Sequence, residues 1–512
     1  MKNDPRIAAV IDIGSASIRM SVAQIGNKGS IKLLETLKRP VHLGKDTFTR
    51  GSIARSTVEE CVGILRGFRQ ALKEYGITDP AQVRAVATSA VREASNRQAV
   101  LDRIYSATGF LVEAVDEAVV SRLNYLSVQR LLREHRISTR HTLVADIGAG
   151  STNLLVFEKN NVVYSHTHRL GALRVLELLE AYREPASHLQ EILDNQVLEL
   201  TELMGHSIRL SSSLRLFALS EAAAFAARRI LKNPDAALPV EIPVDKLEKL
   251  TRDLLALSVD ERAKKYNLSF AQAETVGPTL LAYVLLARRC RAGMLTAAET
   301  NLQDGLLLEA ATEGVWTENF KRQIVRSALA LGNKYNFNET QAQHIAWLCQ
   351  QLFRALREPF ELNPRHELML YVAALLHQIG IFISNQAYHK HAMYLIRNSN
   401  LFGLGEEDLN RIALVARYHR RSAPKPTHPE YQVLDRDDRI IVSRLAAILR
   451  IAVALESANR QRIRNFTCTI EENRLIITVK EVNDLTLELL GLKQRAGFFE
   501  EVFGLSVELR KD

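Results

Sequence analysis

The sequence predicts an α/β fold with two similar lobes in its N-terminal half, followed by an all-α domain and a small α/β cap. A strand-and-turn pattern near the start recurs at residues 141–151, and such a repeat indicates a duplicated domain. Helical periodicity replaces the strand signals between Gly305 and Glu456, and alternating apolar residues return after it. A chain of 512 residues is also too long to fold around a single hydrophobic core, so several domains are expected. We expect four domains, namely a first lobe at 1–125, a second lobe at 126–305, a helical domain at 306–460 and an α/β domain at 461–512.

The first lobe begins with a strand. Residues 7–13 are β-branched and apolar and end at Gly14-Ser15, as a buried strand that enters a tight turn should. Residues 19–24 and 31–37 predict two further strands of an antiparallel meander. Helical spacing and the stop signal Gly76 then predict a helix. The remaining predicted elements are a helix at 56–75, a strand at 83–88 and a helix at 97–108.

The second lobe repeats this order. The strand at 141–146 ends in Asp-Ile-Gly and a small-residue turn, as the first strand does, and a strand at 154–157 follows. Two such turns that face each other across a cleft would direct backbone N–H groups toward one phosphate chain. This arrangement is actin-like. The alternative is that Gly14 and Gly148 only permit tight hairpins.

Helices dominate the third domain, and a hairpin opens the fourth. Apolar periodicity predicts helices at 319–331, 340–356, 367–376, 389–398 and 406–418. Residues 466–470 and 475–479 alternate as two strands around a short turn, and 505–509 could add a third strand.

Composition favours a cytoplasmic globular protein that meets polyanions. Hydrophobic residues make up 47% and charged residues 24%, and the sequence shows neither a cleavable signal nor an apolar run of membrane length. No C-x-x-C pair suggests a disulfide framework or a thiolate zinc site. The net charge of +9 favours polyphosphate, nucleic acid or acidic surfaces. Nucleic acid is disfavoured as a partner because no recognition module or aromatic stacking motif is present, and no membrane partner is expected.

Several segments keep the order and spacing of a known set of phosphate-binding motifs. Residues 12–19 are similar to a first phosphate loop, 87–92 to an A-T-S-A-x-R segment and 146–152 to a second phosphate loop. Residues 376–380 and 417–420 are similar to a helical, HD-like domain. The sequence therefore resembles the exopolyphosphatase/guanosine pentaphosphate phosphohydrolase (Ppx/GppA) family in its long form, over nearly the whole chain.

The resemblance implies an actin-like fold of the sugar-kinase/actin, ribonuclease H-like superfamily and a known chemistry. Members cleave terminal phosphoanhydrides of polyphosphate or guanosine pentaphosphate with Mg²⁺, an in-line water and a glutamate base. By resemblance, Asp12 and Asp146 hold the metal through its waters, and Arg19 and Arg92 neutralise charge. For both arginines a surface ion pair remains the alternative. The implied phosphate-binding residues are Gly14, Ser15, Ser17, Ser89, Gly148, Gly150, Ser151, Thr152 and Ser220.

The segment that should hold the general base departs from the family pattern. Both of its glutamates have become valine, and Val120 stands at the catalytic position. An isopropyl group cannot accept a proton. Asp116 or Glu117 could replace the base only after a shift of about one helical turn, and small misplacements are costly in catalysis.

Further departures cluster in the same motifs. Asn153 replaces a glutamate near the expected metal, and Leu307 replaces an arginine. Glu221 replaces a glycine in the third phosphate turn, where its charge would repel a polyanion. In the HD-like segment His377 is followed by Gln378, a poor ligand for a catalytic divalent ion.

We therefore predict impaired or abolished hydrolysis and keep two functions open. One is a working phosphoanhydride hydrolase of the family, and the other is a regulatory protein that senses polyphosphate or a guanine or adenine nucleotide. Weakened Mg²⁺ binding is expected in either case. The sequence leaves the oligomeric state open, with a homodimer as one alternative.

Overall fold

The computed structural model describes residues 6–26, 29–135, 141–159, 161–182, 188–205, 214–312, 316–420, 422–482 and 484–511. The chain divides into two compact units, Met1–Val315 and Trp316–Asp512. The sequence also predicts turns at 26–29 and 159–161, and residues 27–28 and 160 of these turns lie outside the described residues. The predicted boundaries of the four domains stay predictions.

The first sheet has five strands in the order β3-β2-β1-β4-β5. The strands are β1 Arg6–Ile13, β2 Ser17–Ile25, β3 Ile31–Pro40, β4 Val83–Ala87 and β5 Val112–Ala114. The first three form the predicted antiparallel meander, while β4 and β5 run parallel to β1. Helices flank the sheet, namely α1 Leu43–Arg50, α2 Arg55–Glu74, α3 Ser89–Glu93, α4 Arg97–Thr108 and α5 Glu117–Glu134.

The second sheet has six strands in the order β10-β11-β9-β6-β7-β8. They are β6 His141–Ile147, β7 Thr152–Glu158, β8 Asn161–His168, β9 Arg215–Leu219, β10 Val240–Pro243 and β11 Met294–Ala298. Strands β8, β7, β6, β9 and β11 repeat the order and directions of the first sheet. This shared topology is the three-dimensional counterpart of the sequence repeat.

Helices complete the second lobe. They are α6 Ala172–Tyr182, α7 Leu189–Gly205, α8 Glu221–Ile230, α9 Val244–Leu255, α10 Val259–Tyr266, α11 Phe270–Arg289 and α12 Leu302–Ala311. Within the described residues α11 alone is long and apolar enough to cross a membrane, by length and composition. However, 67% of its apolar window is buried. It therefore fits a core helix of this lobe.

The second unit is helical before a short sheet. Its longer helices are α13 Glu318–Lys334, α14 Glu339–Arg357, α15 Pro364–Leu376, α16 Tyr388–Arg397, α17 Glu406–Arg417, α18 Pro429–Gln432, α19 Arg436–Leu455 and α20 Thr486–Phe503. The strands β12 Phe466–Glu471 and β13 Arg474–Val479 form the predicted hairpin, and β14 Ser506–Lys511 adds the third strand parallel to β13.

Candidate functional site

Two rows of side chains lie in equivalent register in the two lobes. In the first lobe Asp12 pairs with Arg19 across β1 and β2, and Arg19 pairs with Lys38 across β2 and β3. In the second lobe Asp146 occupies the position of Asp12, and its row continues to Asn153 and Thr167. The duplicated hairpins therefore place one buried-strand aspartate in each lobe, but the cations of the first row are replaced by neutral groups in the second.

The turns after the two aspartates have the same geometry. The N–H of Gly14 donates to the Ser17 carbonyl at 3.0 Å, and the N–H of Gly148 donates to the Ser151 carbonyl at 2.9 Å. A side chain at either glycine would lie within 3.2 Å of that carbonyl oxygen. Glycine therefore lets the chain turn back tightly at both predicted phosphate loops.

Gly150 brings the second turn against the first lobe. A Cβ atom at Gly150 would lie 2.5 Å from Ser89 Oγ, 2.7 Å from the Phe48 ring and 2.8 Å from Ser15 Oγ. Ser15 and Ser89 share a hydrogen bond of 3.1 Å. The structure thus gathers three of the predicted phosphate-binding residues at one point, where only a glycine allows the lobes to approach.

Three other predicted phosphate-binding hydroxyls, those of Ser17, Thr152 and Ser220, have local partners. Ser17 Oγ accepts from Arg19 Nε at 3.3 Å, and Thr152 Oγ1 donates to the Leu170 carbonyl at 2.7 Å inside the second lobe. Ser220 Oγ accepts from the N–H of Ala223 and caps α8. Thr152 is fully buried, so its hydroxyl lies in the lobe interior.

The two aspartates interact electrostatically. Burial raises the pKa of Asp12 to about 6, against the opposing effect of Arg19. Burial also raises the pKa of Asp146 to about 6, although hydrogen bonds from Asn124 and Asn153 and the charge of Arg19 oppose it, and the charge of Asp12 adds to the rise. Within the described residues Asp12 Oδ1 is buried without a hydrogen-bond partner. A cation between the two carboxylates would compensate this cost.

Mg²⁺ fits this pair in a limited way. Magnesium usually keeps several waters and uses one or two carboxylates together with ligand phosphates. Asp12 and Asp146 supply two carboxylates, one of them with a buried unpaired oxygen. No group of three or more His, Cys, Asp or Glu side chains within the described ranges could hold a metal ion.

Glu221 pairs with the cations of the first lobe. Its carboxylate lies 2.6 Å from Lys38 Nζ and 3.2 Å from Arg19 Nη2. Burial disfavours its charge, but Arg19 and Lys38 outweigh that effect and hold the pKa of Glu221 below its usual value. The side chain of Gln272 also contributes to lowering the pKa of Glu221. Glu221, which the sequence predicts to repel a phosphate, therefore forms ion pairs with Arg19 and Lys38, the two cations that a bound phosphate would contact.

Arg92 lies in a different contact network. Its Nη1 donates to the Val115 carbonyl at 3.1 Å, and its Nη2 lies 3.6 Å from Glu117 and 4.0 Å from Glu93. Glu93 in turn accepts two hydrogen bonds from Arg174, whose Nε donates to the Gly150 carbonyl at 2.9 Å. Arg92 therefore connects to the second turn through Glu93, and its acidic partners match the ion-pair alternative.

Val120 packs in an apolar cluster at the N-terminal end of α5. The side chain is 8% exposed and shares this cluster with Val10, Val86, Leu306 and Leu307. Asn124, one turn further along α5, donates to Asp146 at 3.2 Å. The position of the expected base thus lies one helical turn from a residue that contacts Asp146, yet its surroundings are aliphatic. Leu307, which replaces the family's arginine, belongs to the same cluster.

Two possible substitutes for the base have other roles. Asp116 caps α5 by accepting from the N–H of Val119 at 2.8 Å. Glu117 follows it on the first turn and faces Arg92. Sequence reasoning missed Lys38, Asn124 and Arg174, although Lys38 follows from extending the meander register and Asn124 from the helical spacing after Val120.

Two histidines of the second unit, His377 and His419, lie against each other. The rings of His377 and His419 lie 4.8 Å apart, and His419 Nε2 is 3.1 Å from Tyr388 Oη. Burial lowers the pKa of His377 to about 4 and that of His419 well below its usual value. His366 lies elsewhere, within electrostatic range of Arg411 and Asp408. The likeness to an HD domain stays a prediction.

Comparisons with known proteins agree with these features. Residues 21–313 match the sequence model of the Ppx/GppA phosphatase family, and residues 324–494 match that of Ppx/GppA phosphatase, domain III. A guanosine-5'-triphosphate,3'-diphosphate pyrophosphatase from Aeromonas hydrophila is 26% identical over 490 residues, which are 94% of this chain and 93% of that protein. One with the same name from Pseudoalteromonas translucida is 22% identical over 469 residues, 89% of this chain and 88% of its own.

Solved structures match about three fifths of the chain. An exopolyphosphatase from Cytophaga hutchinsonii aligns with a TM-score of 0.55 at 22% identity, covering 61% of this chain and 99% of its own. An exopolyphosphatase-like protein aligns with a TM-score of 0.54 at 20% identity and covers 61% of this chain and 99% of its own. These matches show the fold, and with the two sheets of equal topology they confirm the predicted fold class.

Proposed function

Because this chain belongs to the Ppx/GppA phosphatase family, we propose that it binds phosphoanhydrides in the cleft between its lobes and that its hydrolytic activity is impaired. The proposed ligand is polyphosphate or a phosphorylated nucleotide. The proposal rests on the contrast between a kept binding framework, which includes Asp12, Asp146 and both glycine turns, and a changed catalytic position.

The surroundings of Val120 support impaired hydrolysis most directly. The side chain that should accept the proton of the attacking water is an aliphatic group, in a cluster that Leu306 and Leu307 complete. General-base catalysis contributes roughly 10² to 10⁴ in rate. Asn153, opposite Asp146 on the neighbouring strand, supplies no charge where the family has a carboxylate. The loss of base and carboxylate together favours binding without efficient turnover.

The kept residues have definite tasks in such a site. The two turns direct backbone N–H groups into the cleft, and Arg19 neutralises phosphate charge. Asp12 and Asp146 would hold Mg²⁺ through its waters, and the ion would neutralise charge on phosphate oxygens when bound. Asn124 and Asn153 orient the Asp146 carboxylate by hydrogen bonds. This arrangement positions a ligand, but Val120 cannot accept the proton of the attacking water as the family's glutamate does.

Two functions remain open for this site, a working phosphoanhydride hydrolase and a regulatory protein that senses polyphosphate or a nucleotide. Phosphate release from long-chain polyphosphate and pppGpp with Mg²⁺ separates them, with Asp146→Ala as the control. We expect release equal to that of the control, together with ligand-induced thermal stabilisation of the wild type. Release clearly above the control would establish the working hydrolase and overturn the impairment.

A further inference from the structure

We propose that Arg19 and Lys38 form one anion-binding pair and that Glu221 is a built-in competitor for it, so that the cleft selects ligands able to displace a carboxylate. This inference rests on the proposed phosphoanhydride ligand and deepens it. It assigns a binding role to Lys38 and a specificity role to Glu221.

The register of the meander creates the anion-binding pair. Arg19 and Lys38 are directly opposite each other on β2 and β3. Like charges at such positions repel and destabilise a sheet unless an anion lies between them. Their side chains are 24% and 36% exposed, so neither charge is fully solvated. Arg19 also lies within electrostatic range of Asp12 and Asp146, which connects the pair to the rest of the site.

Glu221 supplies the anion from the opposite lobe. It is the first residue of α8, directly after the third turn, and its two carboxylate oxygens contact Lys38 and Arg19. Like a phosphate, a carboxylate offers negatively charged acceptor oxygens to guanidinium and ammonium groups. The contact therefore also joins the second lobe to the first at the position where a ligand phosphate would bind.

This competition predicts which ligands bind. Glu221 is tethered, so its local concentration is high, whereas a free ligand must contribute more charge or more contacts to replace it. A chain of several phosphates meets this condition because it reaches the glycine turns as well. Orthophosphate has one tetrahedral group and should compete poorly.

The test is a calorimetric titration of the full chain with tripolyphosphate at low salt. Glu221→Gln keeps the size of the side chain and removes its charge, and we expect about tenfold tighter binding, since a partly exposed ionic contact is screened by solvent. The gain should shrink in high salt. Adding Lys38→Met to this variant should remove most of the gain, and orthophosphate binding should become detectable only after Glu221→Gln.

Glu299→Gln is the matched control because it makes the same change in net charge. Glu299 pairs with Arg228 at 2.8 Å and lies within electrostatic range of Lys38. We expect less than a twofold effect. An equal gain from Glu299→Gln, or unchanged affinity of folded Glu221→Gln, would overturn the inference. Glu221→Gly serves as a second variant if the first folds poorly.

The outcomes also separate this inference from the proposed function. Tight tripolyphosphate binding by the wild type that Glu221→Gln leaves unchanged would refute only the competition. Absence of tripolyphosphate binding in the wild type and in both folded Glu221 variants would refute the phosphoanhydride site itself.

Discussion

Val120→Glu tests whether the expected position of the base is apolar. Val120 is 8% exposed among aliphatic side chains, so a carboxylate there would lose water without gaining a described partner in that cluster. Burial raises carboxylate pKa values by up to roughly 3 to 5 units, and one unit corresponds to about 1.4 kcal/mol. The first turn of a helix favours an acid by up to about 1 kcal/mol, which offsets part of this cost. We expect the charge to lower the free energy of unfolding by about 2 kcal/mol at pH 8.

Val120→Gln is the matched control, because it has the same size and no charge. Urea titrations at pH 4.5 and pH 8 isolate the charge effect. The two variants should be equally stable at the lower pH, where the buried glutamate is protonated. At pH 8 Val120→Glu should have the lower free energy of unfolding. Equal stability at both values would mean that the position is solvated or faces a cation, and the reasoning about an apolar base position would fail.

The same substitution has a catalytic consequence. Val120→Glu combined with Val119→Glu and Asn153→Glu should raise phosphate release by about 10² to 10⁴ at a pH above the raised pKa of the new base. The triple glutamine variant should give no gain. If the glutamate variant folds and also gives none, the loss extends beyond the base to the third turn or the lobe geometry.

Three other substitutions test the local physics. Burial raises the pKa of Asp146 to about 6, so the contribution of this carboxyl group to stability is lost as the pH rises from about 4 to about 6. In urea titrations, Asp146→Asn should therefore raise the free energy of unfolding by up to about 3 kcal/mol at pH 8 and by little near pH 4. An equal gain at both pH values would contradict this. Gly150→Ala should lower the free energy of thermal unfolding by about 1 to 3 kcal/mol. The control Gly63→Ala, at a position of α2 with open space around it, should raise it by about 0.5 to 1 kcal/mol. A change of the same sign in both variants would refute the close approach at Gly150. Burial lowers the pKa of His377 to about 4, so its stabilisation is present above about pH 6.5 and is lost as the pH falls toward 4. Hydrogen-exchange protection factors in α15, which are corrected for the intrinsic pH dependence of exchange, should fall over that range in the wild type and less in His377→Gln, and identical profiles would contradict this.

Local signals predicted the elements that create the site. The two Asp-Ile-Gly sequences end buried strands, and a strand followed by glycine and a small residue determines a tight turn without reference to the rest of the chain. The register then places Asp12 and Asp146 in equivalent positions. For the same reason the meander and the C-terminal hairpin could be predicted from alternation and turn residues.

The contacts between elements could not be predicted in this way. The pairing of Glu221 with Lys38 joins residues from two lobes, and nothing in either segment specifies the other. The contact of Gly150 with Phe48 depends on how the lobes pack. Sequence reasoning assigned Glu221 a repulsive role toward phosphate because its partner cations were unknown. The structure instead gives it two cationic partners.

The most direct test of binding without hydrolysis is a ³¹P NMR time course of the full chain with tripolyphosphate and Mg²⁺. The account predicts that the protein shifts or broadens the tripolyphosphate resonances while orthophosphate grows no faster than with Asp146→Ala. Faster growth of the orthophosphate signal in the wild type would contradict impaired hydrolysis, and unchanged tripolyphosphate resonances at excess protein would contradict binding.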